Sequence, residues 1–221
     1  MLFGPAVSYE SLVLCDDVRD LASIELPDEL RRATPKRRIE FLAGRRCAAR
    51  ALARLGCASR APIPIGARGA PDWPAGFVGA ITHGHGFAAA AVARAIDAGG
   101  VGLDSERMID AKTAADVSSQ IATDDELAAL TRDLDETTAL TVVFSAKESL
   151  FKCLSASVGR YFDFLDARVS RIDRRAHTFD VELRARLGDF ERGTRLRGRF
   201  SHEGNFVHTG ITIAPRATSS P

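Results

Sequence analysis

The chain has 221 residues, of which 45% are hydrophobic, so it can bury the core of one large domain or two small ones. Its 30 basic and 29 acidic residues leave a net charge of +1, which argues against a general nucleic-acid coat protein. No apolar run reaches the roughly 18 residues that a membrane span needs, and no basic segment precedes the apolar residues at the N-terminus. We therefore expect a cytoplasmic protein.

The cysteines argue against a zinc ribbon. Cys15, Cys47, Cys57 and Cys153 form no CxxC pair, which is the spacing typical of that site. We interpret all four as reduced thiols of a cytosolic chain.

The first third of the chain predicts a strand, a long helix and an ordered loop. Residues 1–30 indicate strand and loop, and Thr34 followed by Pro35 is typical of a helix start, because proline is tolerated at the first helical position. We place the helix over residues 36–55. The loop after it is expected to be ordered, since Trp73 needs a surface to pack on.

This predicted helix is strongly basic. Its expected core face carries Ile39, Leu42, Ala49, Leu52 and Leu55. Its other sides carry seven cations and one acid: Lys36, Arg37, Arg38, Arg45, Arg46, Arg50, Arg54 and Glu40. Most charge runs are solvated faces, but an excess as one-sided as this suggests a polyanionic ligand.

The remaining elements indicate an α+β fold. Three strands are predicted over residues 78–83, 87–95 and 101–106. Residues 110–138 are expected to be helical, with a capping box from Thr123 to Glu126. After a further helix, polar–apolar alternation predicts antiparallel strands over residues 167–172, 178–187, 194–200 and 206–213. The order suggests two similar, pseudo-twofold halves, residues 1–101 and 102–221, each a small, mostly antiparallel sheet packed with a long helix.

The stretch FSAKESLFK at residues 144–152 is the centre of the further helix. Wound at 100° per residue, it places Lys147 in the middle of an apolar stripe, where an ammonium needs a partner or an exit to water. Glu148 and Lys152 lie one turn apart at the edge of that stripe. The simplest interpretation is an ordinary i,i+4 ion pair, with Lys147 extending along its own stem to solvent.

Three carboxylates suggest a more specific role for this helix. Asp104 and Glu106 lie two apart on a predicted strand and point to one face, where they repel each other unless a cation joins them. With Glu148 they supply the hard oxygen ligands that Mg²⁺ prefers, leaving positions open for phosphate. Lys147 and Lys152 are then suitable charge partners for that phosphate. The alternative is a strand end with solvated acids.

A second polar group ends the strand predicted over residues 78–83. Thr82 and His83 are followed by a Gly-His-Gly turn that contains His85. The two histidines suggest zinc, but no third soft ligand lies nearby in the sequence. A glycine-rich turn with Thr and His donors suits phosphate better, although a single histidine at a strand end is more often structural.

These segments, in this order, resemble a 4′-phosphopantetheinyl transferase of the monomeric, pseudo-dimeric type, in the branch of enterobactin-synthetase-associated and surfactin-type enzymes. The matching segments are EFLAGR at residues 40–45, WP at 73–74, GAITH at 79–83, VGLDSE at 101–106 and FSAKESLFK at 144–152. The chain departs from the family at Ser105, where an aliphatic residue is usual, and at Phe144, where many members carry tryptophan.

The resemblance implies an activity and a metal. The enzyme would transfer the 4′-phosphopantetheine arm of coenzyme A to a serine of an acyl or peptidyl carrier protein and release 3′,5′-ADP. Asp104, Glu106 and Glu148 would hold Mg²⁺, with Mn²⁺ as an alternative. Glu148 would activate the carrier serine, and Lys152 would assist the departure of the ADP phosphate.

The resemblance also implies a coenzyme A site. Its residues would be Arg45 or Arg46, Thr82, His83, Lys147 and Lys152, with the 3′-phosphate on the side of the basic helix in the N-terminal half. The enzyme would act as a monomer in nonribosomal peptide, siderophore or related biosynthesis.

Other functions compete with this interpretation. A non-catalytic coenzyme A or nucleotide-binding module would need Arg45 and His83 but not Glu148, so the three carboxylates argue against it. A Mg²⁺-dependent phosphohydrolase would share the acids and lysines but would not need a carrier protein. A nucleic-acid binder is disfavoured, because the basic helix interleaves arginine with alanine rather than with aromatic residues.

Overall fold

The computed structural model describes residues 1–14, 26–59, 61–131 and 134–215. The chain divides into two compact units, Gly4–Val101 with the residues from Ala214 onward, and Met1–Phe3 with Gly102–Ile213. The architecture is α+β, as predicted, with one sheet of three strands and one of five. Among the described residues, no helix combines the length and the apolar content needed to cross a membrane.

The first unit is a three-stranded antiparallel sheet with one long helix. In chain order its elements are β1 (Val7–Val13), α1 (Pro35–Arg54), β2 (Phe77–Gly84) and β3 (Phe87–Arg94). The strand order is β1-β3-β2, so β3 is central. Residues 88–93 are five alanines and a valine and are fully buried. Because these side chains are small, α1 can approach β3 closely and pack along it.

The helix α1 begins where the sequence predicts, but its buried face differs from the predicted one. Thr34 is the N-cap and accepts a hydrogen bond from the backbone N–H of Arg37 at 3.3 Å, and Pro35 is the first helical residue. The predicted core face is partly wrong, since Ala49 is exposed and Leu42 is only half-buried. The buried residues of α1 are Glu40, Phe41, Ala43, Gly44, Arg45, Cys47, Ala48, Ala51 and Leu52. The short distance between α1 and β3 favours small side chains on the buried face of α1. The predicted face was chosen from larger apolar residues and therefore missed them.

Two glycines of the matched segments allow close packing in this unit. A Cβ built on Gly44 of α1 would lie 2.6 Å from Cγ2 of Ile81 and 3.5 Å from Cδ2 of His83. A Cβ on Gly79 of β2 would lie 2.8 Å from Cζ2 of Trp73. Trp73 packs against the core between α1 and β3, which confirms that its loop is ordered. Because Gly44 and Gly79 have no side chains, α1 and Trp73 can pack directly on β2.

The second unit contains the larger sheet and three helices. In chain order its elements are β4 (Gly100–Arg107), α2 (Ala111–Ile121), α3 (Asp124–Leu130), α4 (Glu136–Val158), β5 (Ala167–Asp173), β6 (Thr178–Leu183), β7 (Arg195–Glu203) and β8 (Phe206–Ile213). The strand order is β4-β8-β7-β6-β5, and α4 packs on β8. Of the six residues in the apolar stripe predicted for α4, Leu140, Val143, Leu150 and Leu154 are almost fully buried, while Phe144 and Phe151 are half-buried. Whether residues 1–101 and 102–221 fold as separate domains stays a prediction.

Two elements differ from their predicted extent. The helical region predicted over residues 110–138 is divided into α2 and α3, because the chain is extended at Ala122 and Thr123. The strand predicted over residues 178–187 ends at Leu183, and Leu187 instead forms a separate bridge with Phe190. In both places the hydrophobic pattern continues past the point where the backbone changes direction. A prediction from the pattern therefore extends the element too far.

The described cysteines agree with the expected reduced state. Cys47, Cys57 and Cys153 are buried free thiols, while Cys15 lies outside the described residues. Burial raises the pKa of Cys47 to about 11 and that of Cys153 to about 12. The Cys47 and Cys153 thiols are therefore protonated and unreactive at neutral pH.

The glycine of VGLDSE yields a test of how closely β4 approaches α4. A Cβ on Gly102 would overlap the backbone carbonyl of Ser149 and lie 2.9 Å from Cβ of Cys153. We expect Gly102→Ala to lower the free energy of unfolding by about 1–3 kcal/mol, because α4 or β4 must shift. The matched control is Gly84→Ala, another strand glycine, whose Cβ meets no atom within 4 Å. Denaturant unfolding with equal loss in both variants would contradict this packing argument.

Candidate active site

The close approach at Gly102 places Asp104 of β4 against two side chains of α4. The Oδ1 atom of Asp104 lies 2.6 Å from Nζ of Lys152, and its Oδ2 atom accepts a hydrogen bond of 2.9 Å from the Ser145 hydroxyl. Asp104 is only 2% exposed. A buried carboxylate needs such partners, because an unpaired charge in the interior is very costly.

Lys152 of α4 forms an ion pair with a residue of β4, and not with its helical neighbour Glu148. The simplest sequence interpretation joined Lys152 to Glu148 one turn away, whereas the structure forms its ion pair with Asp104. Burial acts to lower the pKa of Lys152, but Asp104, Glu148 and Glu106 outweigh it and raise the pKa above the ordinary value. Lys152 is therefore firmly protonated, and its side chain remains 26% exposed.

The charges of the three predicted carboxylates act on one another's ionisation. Burial raises the pKa of Glu106 to about 7, with further contributions from Asp104 and Glu148 and an opposing one from Lys152. Burial also raises the pKa of Glu148, where Lys152 opposes and Asp104 adds to the effect. The site therefore has more negative charge than its single lysine balances.

The chemistry of this donor set fits a divalent cation. Hard carboxylate oxygens are the ligands that Mg²⁺ prefers. Burial is the main cause of the raised pKa of Glu106 and Glu148, and a cation would relieve the repulsion from Asp104 that adds to it. Within the part of the chain that the structure describes, no group of three or more His, Cys, Asp or Glu side chains has the geometry of a metal site, so the binding of Mg²⁺ by Asp104, Glu106 and Glu148 stays a prediction.

Lys147 is buried and forms its ion pair with none of these carboxylates. Its Nζ atom donates to Oε2 of Glu126 at 2.9 Å and to the backbone carbonyl of Ile121 at 2.8 Å. Burial lowers the pKa of Lys147, and the charges that act on it are Glu126, Asp163 and Arg168. The expectation that Lys147 extends to solvent is wrong, since it is 2% exposed.

Glu126 has the role that sequence reasoning missed. The predicted capping box does not form, because the Thr123 hydroxyl donates to Asp125 at 2.6 Å and makes no cap hydrogen bond. Glu126 instead turns inward, where its Oε1 atom accepts from the backbone N–H of Val169 at 2.7 Å while Oε2 binds Lys147. The pair thus joins α3, α4 and β5. A glutamate at the third helical position satisfies the capping pattern equally well, so the sequence carried no signal for this choice.

Three further buried polar contacts link β4, α4 and β8 near Asp104. Thr209 of β8 lies 2.9 Å from the Ser145 hydroxyl and 2.6 Å from the Ser149 hydroxyl. Ser105, the departure from the family pattern, lies 2.8 Å from Nδ1 of His208. Ser105 therefore has a polar partner on the neighbouring strand, which accounts for a hydroxyl where an aliphatic side chain is usual.

The first unit contains the other predicted binding residues. Arg45 is 7% exposed, donates to the carbonyl of Pro64 at 3.2 Å and lies over the ring of Phe41 at 4.6 Å from its centroid. Burial, aided by the charge of Arg37, lowers the pKa of Arg45 to about 10. Its Nε atom is buried without a hydrogen-bond partner among the described residues. A buried arginine with unused donor capacity is suited to an anionic ligand.

His83 lies next to the same helix. Nη1 of Arg37 lies 2.9 Å from Nδ1 and 2.8 Å from Nε2 of His83. The neighbouring Thr82 is 4% exposed. Because Gly44 has no side chain, the imidazole of His83 lies against α1 one residue before Arg45. The EFLAGR and GAITH segments are thus adjacent in this unit.

The first unit carries Arg45 on α1 and His83 on β2, and the second unit carries Asp104 on β4 paired with Lys152 on α4. The chain belongs to the 4′-phosphopantetheinyl transferase family and is an enzyme of that class. Residues 26–93 match the model of the 4′-phosphopantetheinyl transferase N-terminal domain, and residues 100–207 match that of the 4′-phosphopantetheinyl transferase superfamily. The family resemblance inferred from the motifs is confirmed.

A relative of known function is similar in sequence over nearly the whole chain. The sequence is 38% identical over 220 residues to 4′-phosphopantetheinyl transferase Svp of Streptomyces mobaraensis, covering 96% of this chain and 88% of the relative. The branch within the family, enterobactin-synthetase-associated or surfactin-type, stays a prediction.

The buried pair of Lys147 and Glu126 yields a stability prediction. We expect Glu126→Gln to lower the free energy of unfolding by about 3–5 kcal/mol, because it leaves the Lys147 ammonium buried beside a neutral group. The double variant Glu126→Gln/Lys147→Met should recover a large part of that loss. Asp125→Asn is the matched control, since Asp125 is 69% exposed in its ion pair with Arg168. Similar losses for Asp125→Asn and Glu126→Gln in denaturant unfolding would contradict the assigned role.

Proposed function

We propose that this enzyme transfers the 4′-phosphopantetheine arm of coenzyme A to a serine of an acyl or peptidyl carrier protein and releases 3′,5′-ADP. The observation that carries the proposal is the group of Asp104, Glu106 and Glu148 around Lys152 in a chain of this family. Phosphoryl transfer depends mainly on positioning and charge neutralisation, and this group provides both.

In this proposal Glu148 is the general base. Burial raises the pKa of its carboxylate when no cation is bound, so this carboxylate holds a proton more strongly than an exposed glutamate does. The serine oxygen attacks the β-phosphorus of coenzyme A and forms a new P–O bond. Glu148 accepts the serine proton, and the P–O–P bond breaks toward the adenosine side. The electron pair leaves on 3′,5′-ADP.

Lys152 would then neutralise the leaving phosphate. Its raised pKa keeps it protonated, so it can donate a charge-assisted hydrogen bond to the departing oxygen. We assign Asp104, Glu106 and Glu148 as ligands of Mg²⁺, or of Mn²⁺ as an alternative. The cation would supply charge neutralisation for the pyrophosphate.

We assign the adenosine 3′-phosphate to the first unit. Arg45 or Arg46, with Thr82 and His83, would bind this phosphate. The buried Nε atom of Arg45, which could donate a further hydrogen bond, supports a role for Arg45. This makes the half formed by residues 1–101 the 3′-phosphate side, and the half formed by residues 102–221 the side of the metal ligands. We now assign Lys147 a structural role, because Glu126 and the carbonyl of Ile121 hold its ammonium.

The proposal extends to partner and location. We propose a monomer in the cytoplasm that modifies carrier proteins of nonribosomal peptide, siderophore or related assembly lines. The three described free cysteines are consistent with a reducing compartment.

Intact mass spectrometry of an apo carrier protein tests the reaction. Incubation with the enzyme, coenzyme A and Mg²⁺ should add the mass of one phosphopantetheine arm, and 3′,5′-ADP should appear only when the carrier is present. Release of 3′,5′-ADP without a carrier would indicate a phosphohydrolase. Tight coenzyme A binding without any mass gain on several carriers would favour the non-catalytic module.

Replacing the proposed base tests the mechanism. We expect Glu148→Gln to lower kcat at least about 100-fold with little change in fold, because it removes a proton acceptor at nearly constant volume. Glu136→Gln is the control, since Glu136 is exposed in the first turn of the same helix. Turnover by Glu148→Gln at the rate of Glu136→Gln would contradict the role of Glu148.

Coenzyme A and dephospho-coenzyme A together test the 3′-phosphate site. We expect Arg45→Lys to raise the KM for coenzyme A about 10-fold, the value of one lost charge-assisted hydrogen bond, and to leave the KM for dephospho-coenzyme A nearly unchanged. Arg46→Lys serves as the comparison. A selective effect of Arg46→Lys alone would transfer the assignment to Arg46, and equal effects on both substrates would remove it from both arginines.

A further inference from the structure

We propose that Ser145 is a positioning residue that holds the Asp104 carboxylate in its ligand orientation, and that Thr209 directs the Ser145 hydroxyl toward it. The proposal rests on the assignment of Asp104 as a metal ligand under the proposed function. It adds two residues, on α4 and β8, to which neither the motifs nor the comparisons assign a role.

A count of hydroxyl protons gives the hydrogen bonds a direction. Each of Ser145, Ser149 and Thr209 has a single hydroxyl proton. Ser145 donates its proton to Oδ2 of Asp104 at 2.9 Å, since the carboxylate is acceptor-only. The Ser145 oxygen can then only accept from Thr209, 2.9 Å away. Thr209 in turn accepts from Ser149 at 2.6 Å.

The result is a chain of donors from Ser149 through Thr209 and Ser145 to Asp104. Thr209 and Ser149 each share their single proton with a backbone carbonyl, since Thr209 also donates to the carbonyl of Ser145 at 2.8 Å and Ser149 also donates to the carbonyl of Thr209 at 3.1 Å. These three-centre hydrogen bonds hold the chain in place. Hydrogen bonds aligned in one direction polarise one another, so a chain that ends on an anion strengthens its last bond.

Burial makes this arrangement a fixed one. Ser145, Ser149 and Thr209 are each 0% exposed. In such surroundings water does not readily replace a lost partner, and the hydroxyls keep the rotamers that satisfy them. Lys152 binds the other carboxylate oxygen of Asp104, so both oxygens are held and rotation of the carboxylate is restricted. The ordering of this ligand therefore occurs on folding rather than on cation binding.

Mn²⁺ binding measured by electron paramagnetic resonance tests the proposal without relying on activity. Ser145→Ala and Ser149→Ala remove equivalent buried hydroxyls one turn apart on α4, but only Ser145 touches Asp104. We expect Ser145→Ala to weaken Mn²⁺ binding about 10-fold, as expected when a group that orients a metal ligand is removed. Thr209→Val should weaken it less, and Ser149→Ala least. Melting temperature should fall to a similar degree in all three.

The pattern of affinities decides the outcome. Unchanged Mn²⁺ affinity in Ser145→Ala, or an equal loss in Ser145→Ala and Ser149→Ala, would overturn the proposal and leave the hydroxyl chain a packing device. Ser145→Thr, which keeps the donor, should retain more affinity than Ser145→Ala. The reference variant Asp104→Asn separates the two hypotheses. If Asp104→Asn binds Mn²⁺ as tightly as the wild type, the metal assignment of Asp104 has failed, and the role of Ser145 fails with it.

Discussion

The contact between β4 and α4 is the constraint on which the site depends. Gly102 lies so close to the backbone of Ser149 that no side chain fits between them. Asp104, two residues further along the strand, therefore meets Ser145 and Lys152 directly. The same closeness excludes water from the carboxylate, which strengthens each of its interactions with the helix. Packing at one glycine thus sets the electrostatics of the candidate active site.

The two lysines of the central helix show how position determines function. Lys152 keeps a quarter of its side chain exposed and lies among three carboxylates, so it can meet a ligand. Lys147 is buried, and its ammonium is bound to Glu126. That pair joins α3 and β5 to α4 beside Glu148. The Lys152 ammonium is therefore accessible to a ligand, while Lys147 joins α4 to its neighbouring elements.

Small side chains have a corresponding role in the first unit. The alanines of β3 and Gly44 of α1 let the helix lie close to the sheet, which brings His83 against the helix next to Arg45. The arginine becomes buried as a result, and burial lowers its pKa. An arginine in such a place gains more from an anionic ligand than one in water does, because its donors are already removed from competing solvent.

Local periodicity and residue types at short spacing were sufficient to predict the α+β class, most strand and helix bounds, the enzyme family and most of the apolar stripe of α4. They also placed Asp104 and Glu106 on one face of a strand. They could not predict which partner each buried charge takes in the folded chain. Glu126 turned inward to Lys147, Lys152 crossed to Asp104, and Thr209 joined Ser145 from a strand more than 60 residues away in the sequence. Such pairings depend on which surfaces come close enough to exclude water, and no local pattern encodes that distance.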